Sequence, residues 1–406
     1  MLGAPERTTP TLRAAHPLEE EAVGALLRAG FQTADEERVA LELARSHPAF
    51  DPSLALMAEV DGQPAGWVLL LPREFHVRDG WLPLCVVGPV VVDPRFQGTG
   101  VGSCLVQGAL KGLEAHGLEG AVLLGAPGFY RRFGFEPAFD YHSVRLSVDI
   151  LPEEGDTSAW RGLTGEDLAR LPALHERAHQ GISGTERRLA AAADWESGVP
   201  GAHSLAFGSP GAPDAFLRFR KQDSLEITEC ACADASGVDA ILRMVRRLAR
   251  EHGILEVRVH VAPPHPVARA LLARGGLYER SSYGDAAMLH VRSWPALLAR
   301  LESWWAPLLA LCEEPALSLE IDGESVLLSA RGGESCAARG RDERRHLWLP
   351  PDWACGLLTG RRTGAELLSE EEVRERSRLT PGAERWVHAA FAARPAQWLY
   401  SPAYEE

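Results

Sequence analysis

The 406-residue sequence predicts a mixed α+β and α/β chain built from consecutive sheet-and-helix units. Three observations carry this. An apolar β-branched run, Val90-Val91-Val92, stops at Asp93-Pro94, passes through a glycine-rich turn, and becomes an amphipathic pattern through Val101, Leu105, Val106, Ala109, Leu110 and Leu113. That is strand, loop and helix. A second pass of strand, helix, strand and helix runs over residues 225–280. A third stretch, from residue 295, opens on a helical pattern followed by a hairpin.

In the first unit, 11–13 reads as a short opening strand. Residues 17–29 place Leu18, Ala22, Val23, Leu26 and Leu27 on one helical face, and 34–46 form a second helix. Residues 53–60 and 65–73 are strands joined by Asp61-Gly62, a two-residue hairpin signal. Residues 84–92 form the central strand. Gly120-Ala121-Val122-Leu123-Leu124-Gly125 is a buried strand bounded by glycine, and 141–148 is the strand that completes the unit. Antiparallel strands are thus followed by a parallel step over a helix.

Glycines 98, 100 and 102 let backbone N–H groups approach an anion, and the helix N-terminus adds about half a positive charge at the same spot. The local chemistry is diphosphate capture. A lysine-bearing nucleotide loop needs Gly-Lys-Ser/Thr, which is missing, and a dinucleotide loop needs G-x-G-x-x-G, whose third glycine is misplaced here. A glycine-rich turn that simply starts a helix is the plain alternative. What fits is Gln-x-x-Gly-x-Gly, at Gln97, Gly100 and Gly102. This pattern resembles the acetyl-CoA loop of the GNAT acyltransferases. Some way on, Phe129-Tyr130-Arg131-Arg132-Phe133-Gly134-Phe135 resembles the last motif of that family, a short helix with a tyrosine that ends at a glycine before a strand. The two motifs in order make residues 1–150 look like a GNAT unit, similar to the YhbS-like bacterial acetyltransferases.

The resemblance implies acetyl-CoA as cosubstrate and acetyl transfer to an amine. Backbone groups of Val90, Val91 and Val92 would take the pantetheine arm as an added strand. Gln97, Gly98, Thr99, Gly100, Val101, Gly102 and Ser103 would hold the diphosphate, and Gly125 and Ala126 would border the pantetheine end. Tyr130 matches the family's general acid; packing the last helix on the sheet would use the same residue. Glu74 and His76 are further candidate bases, with a solvated loop histidine the plainer reading of His76. Cys85 as an acyl-carrying nucleophile needs a neighbouring base and a lowered pKa. The sequence offers neither, so Cys85 reads as core.

Net charge is −14, which disfavours nucleic acid and anionic membranes as partners and suits a cationic acceptor. No apolar run reaches the 18 or so residues of a membrane span, and the opening residues lack a signal-peptide core, so the expectation is a cytoplasmic protein. The seven cysteines are scattered, without zinc spacing, as in a reducing compartment. Cys230 and Cys232 read as core thiols, and no metal is expected. Lysine occurs only at Lys111 and Lys221, a compositional bias.

The polar stretch near 151–158 marks a boundary. Beyond it lie a strand at 160–163, a helix at 165–178, hairpin strands at 215–220 and 224–231 around Lys221-Gln222-Asp223, a helix at 237–251, a strand at 255–261 and a helix at 267–273. The order echoes residues 84–135 without the glutamine and the extra glycines, and an anion would meet Asp234. Residues 151–294 thus read as a degenerate second GNAT-like unit, with an unrelated α/β domain as the alternative. Residues 295–406 carry a helix at 296–311, strands at 317–321, 325–330 and 344–349, helices at 350–359 and 363–368, and a helical tail at 382–393. With Leu357-Leu358-Thr359-Gly360, this resembles a sterol-carrier-protein-like module.

The three-part order resembles the enhanced-intracellular-survival (Eis) type acetyltransferases. That resemblance implies an acceptor that is a cationic, aminoglycoside-like small molecule or a lysine or peptide amine, and a homo-oligomer, hexameric in several members. It also implies a terminal carboxylate acting as general base, here that of Glu406; the family often ends on an aromatic residue, and this tail ends Tyr404-Glu405-Glu406. A non-catalytic acyl-CoA-binding sensor that keeps the fold is the alternative function.

Overall fold

The computed structural model describes residues 9–15, 19–31, 35–153, 155–195, 201–221 and 224–398. Glu406, the Gln222-Asp223 turn and the start of the helix expected from residue 17 lie outside them. The strands in chain order are β1 (Thr11–Ala14), β2 (Ala55–Val60), β3 (Gln63–Val77), β4 (Gly80–Val92), β5 (Gly120–Leu124), β6 (Phe135–Pro137), β7 (Tyr141–Ser147), β8 (Trp160–Gly162), β9 (Ala202–Ser209), β10 (Ala212–Lys221), β11 (Leu225–Cys232), β12 (Glu256–Val259), β13 (Leu277–Ser281), β14 (Ala287–Val291), β15 (Ala316–Ile321), β16 (Glu324–Arg331), β17 (Glu334–Arg339) and β18 (His346–Leu349). They form three sheets: β1-β2-β3-β4-β5-β14-β6, β13-β7-β12-β11-β10-β9-β8, and β17-β16-β15-β18. The architecture is mixed α/β.

Two hairpin turns follow directly from sequence. Asp61 and Gly62 have φ of 52° and 74°, and Asp322 and Gly323 have 48° and 78°, the paired positive φ values that a two-residue turn between twisted strands requires.

One expectation is corrected. Residues 141–148 do not complete the first sheet, because β7 pairs with β12 and β13 in the second. The first sheet instead receives β14, which lies antiparallel between β5 and β6. Burial explains the exchange. Val144 and Leu146 of β7 belong to the core around Val257 and Val259. In β14, Leu289 packs on one face of the first sheet and Met288 on the other, so this strand is buried on both faces and needs a neighbour on each edge. A second correction concerns 296–311, which is two helices, Trp294–Arg300 and Glu302–Ala310, broken at Leu301.

The helix Val101–Gly112 covers one face of the first sheet through Val101, Leu105, Val106 and Ala109. On the other face, the core that includes Val23, Leu27 and Trp67 continues into Trp305, Leu357 and Trp386 of the last unit. The first and third units therefore share one hydrophobic interior. Arg78, at the β3–β4 turn, pins them together. It donates to the carbonyls of Leu358 (2.8 Å) and Leu357, in the last turn of the helix Pro351–Thr359, and of Ala392 (3.0 Å), just past the helix Pro381–Ala390. No helix among the described residues is long and apolar enough to cross a membrane.

The first and second units meet at a buried ionic cluster. Arg73 of β3 donates to Asp194 at 2.7 Å and pairs with Glu186, and His47 lies 2.8 Å from the same Asp194 carboxylate. Arg188 donates to the Asp194 main-chain carbonyl at 2.7 Å, and Arg188 and Arg218 face Glu229 at 3.5 and 3.2 Å. All these groups are buried, so three guanidiniums balance three carboxylates. Burial alone would raise the Asp194 carboxyl, but the His47 hydrogen bond and the Arg73 and Arg188 charges hold it well below its ordinary value. A depressed carboxylate contributes stability that is fully present above the unfolded pKa of about 3.9 and is lost as pH falls through the folded value. Asp194→Ala should cost about 3–5 kcal/mol, since it leaves three buried guanidiniums facing two carboxylates and removes the partner of His47. In denaturant titrations it should also flatten the loss of stability below about pH 4.

Candidate active site

The site starts from a pairing that stops. β4 and β5 are parallel and joined at Leu84↔Gly120, Cys85↔Ala121 and Val86↔Val122. Beyond Val86 the β3–β4 register shifts between Val68 and Leu70, and β4 runs on to Val92 while β5 ends at Leu124. Val90 to Val92 stay paired to β3 alone, so their other edge faces a gap that an extended ligand can fill as a strand.

The loop follows. Asp93 accepts from the Arg95 N–H at 2.8 Å and from its guanidinium at 2.7 Å, which caps the 3₁₀ turn Pro94–Phe96 and keeps the Asp93 carboxyl below its usual range. Gln97 Nε2 donates to the Val92 carbonyl at 3.4 Å. Gly98 and Gly100 have φ of 75° and 102°, a left-handed conformation that favours glycine. The helix from Val101 has no side-chain cap. Among the described residues, the amides of Gly98, Gly100, Val101, Gly102 and Ser103 have no acceptor. They surround a cleft of about 400 Å³ lined by Val90, Val92, Phe96, Gln97, Gly98, Gly100, Gly102, Ser103, Phe129, Tyr130 and Arg132. Unpartnered amides and a helix N-terminus at one cleft make an anion site.

Tyr130 closes the short helix Pro127–Tyr130, whose Phe129 and Tyr130 amides bond the Ala126 carbonyl. Its ring lies edge-on to Phe129 at 4.9 Å and to Phe135 at 5.9 Å. Gly125 sits beneath it: a Cβ there would come within 2.4 Å of the Tyr130 ring. The Gly125 amide bonds Ala286, just before β14, so the exchanged strand sets the height of the tyrosine turn.

Of the residues read from the sequence, Val90, Val92, Gln97, Gly98, Gly100, Gly102, Ser103 and Tyr130 line the cleft. Val91 and Val101 turn into the core, the Thr99 hydroxyl bonds the Phe96 carbonyl at 2.6 Å, and Gly125 and Ala126 shape the tyrosine turn from below. Glu406 lies outside the described residues. Phe96, Phe129 and Arg132 were missed, although the doubled arginine inside Phe129-Tyr130-Arg131-Arg132-Phe133 was a visible signal. Glu74 pairs with Pro83, seven residues up β4 from Val90 or about 23 Å of strand, and the His76 ring packs on Trp81. Neither reaches the cleft. Cys85 is fully buried and desolvation pushes its thiol up to about 12, so it is no nucleophile. Cys230 and Cys232 are buried and unbonded. No group that could hold a metal ion occurs among the described residues.

The second sheet repeats the geometry, beside a cleft of about 560 Å³ lined by Cys232, Asp234, Pro266 and Arg269 among others, but supplies its own hydrogen-bond partners there. Parallel pairing of β11 with β12 also ends after Ile227↔Val259. There His265 Nε2 donates to the Cys230 carbonyl at 3.1 Å, a tautomer fixed by Val267 N–H donating to Nδ1. Asp234 accepts from the Ser236 and Gly237 amides at 2.9 and 3.1 Å, occupying the helix N-terminus that a phosphate would need.

The chain tail approaches the first site. Asp140 and Trp398 exchange backbone bonds with the segment around them (Asp140 N–H to Ala396 O and Trp398 N–H to Asp140 O, both 2.8 Å). Trp398 packs on Phe139 at 5.9 Å, and the Phe139 amide bonds Ala287, the cross-strand partner of Leu124.

A model of the acetyltransferase (GNAT) domain matches residues 11–138. Over 135 residues the chain is 32% identical to the uncharacterized N-acetyltransferase YhbS of Escherichia coli (strain K12), covering 33% of this chain and 77% of that protein. The chain belongs to the GNAT family. It is an acetyltransferase. A further relative, the uncharacterized N-acetyltransferase YjhQ of the same strain, is 31% identical over 86 residues, 21% of this chain and 48% of that protein. In structure the likeness to solved proteins covers nearly the whole chain. A GCN5-related N-acetyltransferase from Anabaena variabilis ATCC 29413 superposes with a TM-score of 0.73 at 15% identity, over 96% of this chain and 99% of that one. Eis1 from Mycobacterium abscessus does so with a TM-score of 0.63 at 16% identity, over 97% and 100%. At these identities the likeness is one of fold.

Gly125→Ala should lift the Tyr130 ring. Turnover should fall by about 10- to 100-fold while CoA affinity, measured calorimetrically, stays within about twofold because the loop amides are untouched.

Proposed function

We propose that the protein transfers the acetyl group of acetyl-CoA to a primary amine, carried by a cationic, aminoglycoside-like small molecule or by a lysine or peptide. The observation that carries this is the placement of Tyr130 in the same cleft as the unpartnered amides of Gly98, Gly100, Gly102 and Ser103. Those amides receive the diphosphate, and the free edge of β4 at Val90 to Val92 receives the pantetheine arm. The acceptor amine, near pKa 10, must lose its proton before it attacks the thioester. The reading assigns that task to a carboxylate from the tail beyond Trp398, that of Glu406. A chain of eight further residues spans up to about 28 Å, and Trp398 bonds Asp140, beside the Phe139 amide that bonds Ala287, the partner of Leu124. Tyr130 then gives its hydroxyl proton to the departing thiolate. The net charge of −14 draws a cationic acceptor.

The same reading divides the labour along the chain. Residues 1–150 form the catalytic GNAT unit, 151–294 a degenerate GNAT-like unit, and 295–406 a sterol-carrier-protein-like unit with its tail, in the Eis-like order and as a homo-oligomer in the cytoplasm. The helix N-terminus capped by Asp234 supports the degenerate assignment, and the full-length likeness to Eis1 supports the order.

Gly100→Glu puts a carboxylate and a strained backbone at the diphosphate. It should abolish acetyl-CoA binding without lowering the unfolding temperature by more than a few degrees; normal affinity would refute the loop assignment. Tyr130→Phe should lower kcat by about 10²–10⁴-fold and leave CoA affinity unchanged. Removal of Glu405 and Glu406 should lower kcat with CoA affinity intact, and unchanged turnover would remove Glu406 as base.

A further inference from the structure

We infer that Arg132 is a phosphate-reading residue that makes the site select a diphosphate-bearing acyl carrier over the bare pantetheine thioester. The inference rests on the acetyl-CoA reading of the cleft. The cations around the loop are not equivalent. Arg95 is held by Asp93 at 2.7 Å. Arg131 faces Glu136 at 3.7 Å and Asp285 at 3.8 Å. Arg132 lines the cleft, and among the described residues it has no carboxylate partner. Its guanidinium donates to the neutral Ser103 hydroxyl at 2.9 Å and lies over the Phe129 and Phe133 rings at 4.3 and 4.9 Å.

This arrangement orients an uncompensated charge. The two rings hold the guanidinium plane, and Ser103 sets its direction. The amide of that same Ser103 is one of the unpartnered donors. A phosphate oxygen placed on the Ser103 N–H therefore comes within reach of Arg132, which can add charge-assisted hydrogen bonds to those of the neutral amides. Arg132 also joins two pieces of the site: it sits two residues after Tyr130 and bonds the first turn of the phosphate helix. Its contribution is to binding and positioning, since nothing places it at the thioester.

The test is calorimetric titration of the full-length wild type, Arg132→Gln and Arg132→Lys with CoA, dephospho-CoA and pantetheine. Arg132→Gln should weaken CoA and dephospho-CoA by about tenfold alike, leave pantetheine unchanged, and lower the salt dependence of CoA binding. Arg132→Lys, which keeps the charge without the planar fork, should fall between the two and shows that the position tolerates substitution. Equal CoA affinity in wild type and Arg132→Gln overturns the inference. An equal loss for pantetheine overturns it too, because it indicates a merely structural role. A loss confined to CoA and absent with dephospho-CoA moves the contact to the 3′-phosphate and overturns the diphosphate assignment. Failure of the wild type itself to bind CoA would instead refute the reading on which the inference rests.

Discussion

A parallel strand pair that separates after a few residues leaves main-chain groups that need partners, and this chain meets that constraint twice. In the first sheet the gap between β4 and β5 is left open. Gln97 takes only the Val92 carbonyl, and the amides of the following loop point into a cleft without acceptors. In the second sheet the chain supplies the missing partners itself, with His265 on the Cys230 carbonyl and Asp234 on the helix amides. Open amides thus mark the first cleft, whereas the matching helix N-terminus of the second sheet is capped by its own chain. The difference rests on a handful of positions.

The long β3–β4 hairpin carries the other two units. Arg73, on its rising strand, enters the ionic cluster with Glu186 and Asp194, and Arg78, at its turn, grips the carbonyls of Leu357, Leu358 and Ala392. Arginine suits both tasks, since its planar fork serves several acceptors in fixed directions. Buried ion clusters of this kind stabilise little compared with apolar packing, but breaking one is costly. They fix how units sit against one another, and here they hold the sheet that carries the first cleft.

Local features were legible in the sequence. The Asp61-Gly62 and Asp322-Gly323 turns, the strand ending at Val92, the helix from Val101 and the helix ending at Gly360 depend on nearby residues alone. Partner choice was not legible. The run at 141–148 has the alternation of a strand but no mark of which sheet it joins, and β14 is short, with a Gly284-Asp285 turn before it that does not tell which strands it will join. β17 was missed despite the Gly332-Gly333 turn before it. The break at Leu301 was hidden because Leu301, Trp304 and Trp305 are all buried, which blurs helical periodicity. At the site, the glycine pattern was readable, whereas the placement of Arg132 depends on its contact with Ser103, 29 residues earlier in the chain, which no local pattern announces.

The strand exchange bears on how the protein is made. Synthesis proceeds from the N-terminus, so every residue lining the first cleft leaves the ribosome well before β14 does. Until then β5 has an unsatisfied edge and Gly125 lacks the Ala286 carbonyl that seats the tyrosine turn. The nascent chain must keep that edge from pairing elsewhere while the whole middle unit is translated. If two copies emerge side by side, the strand from one can fill the slot of the other.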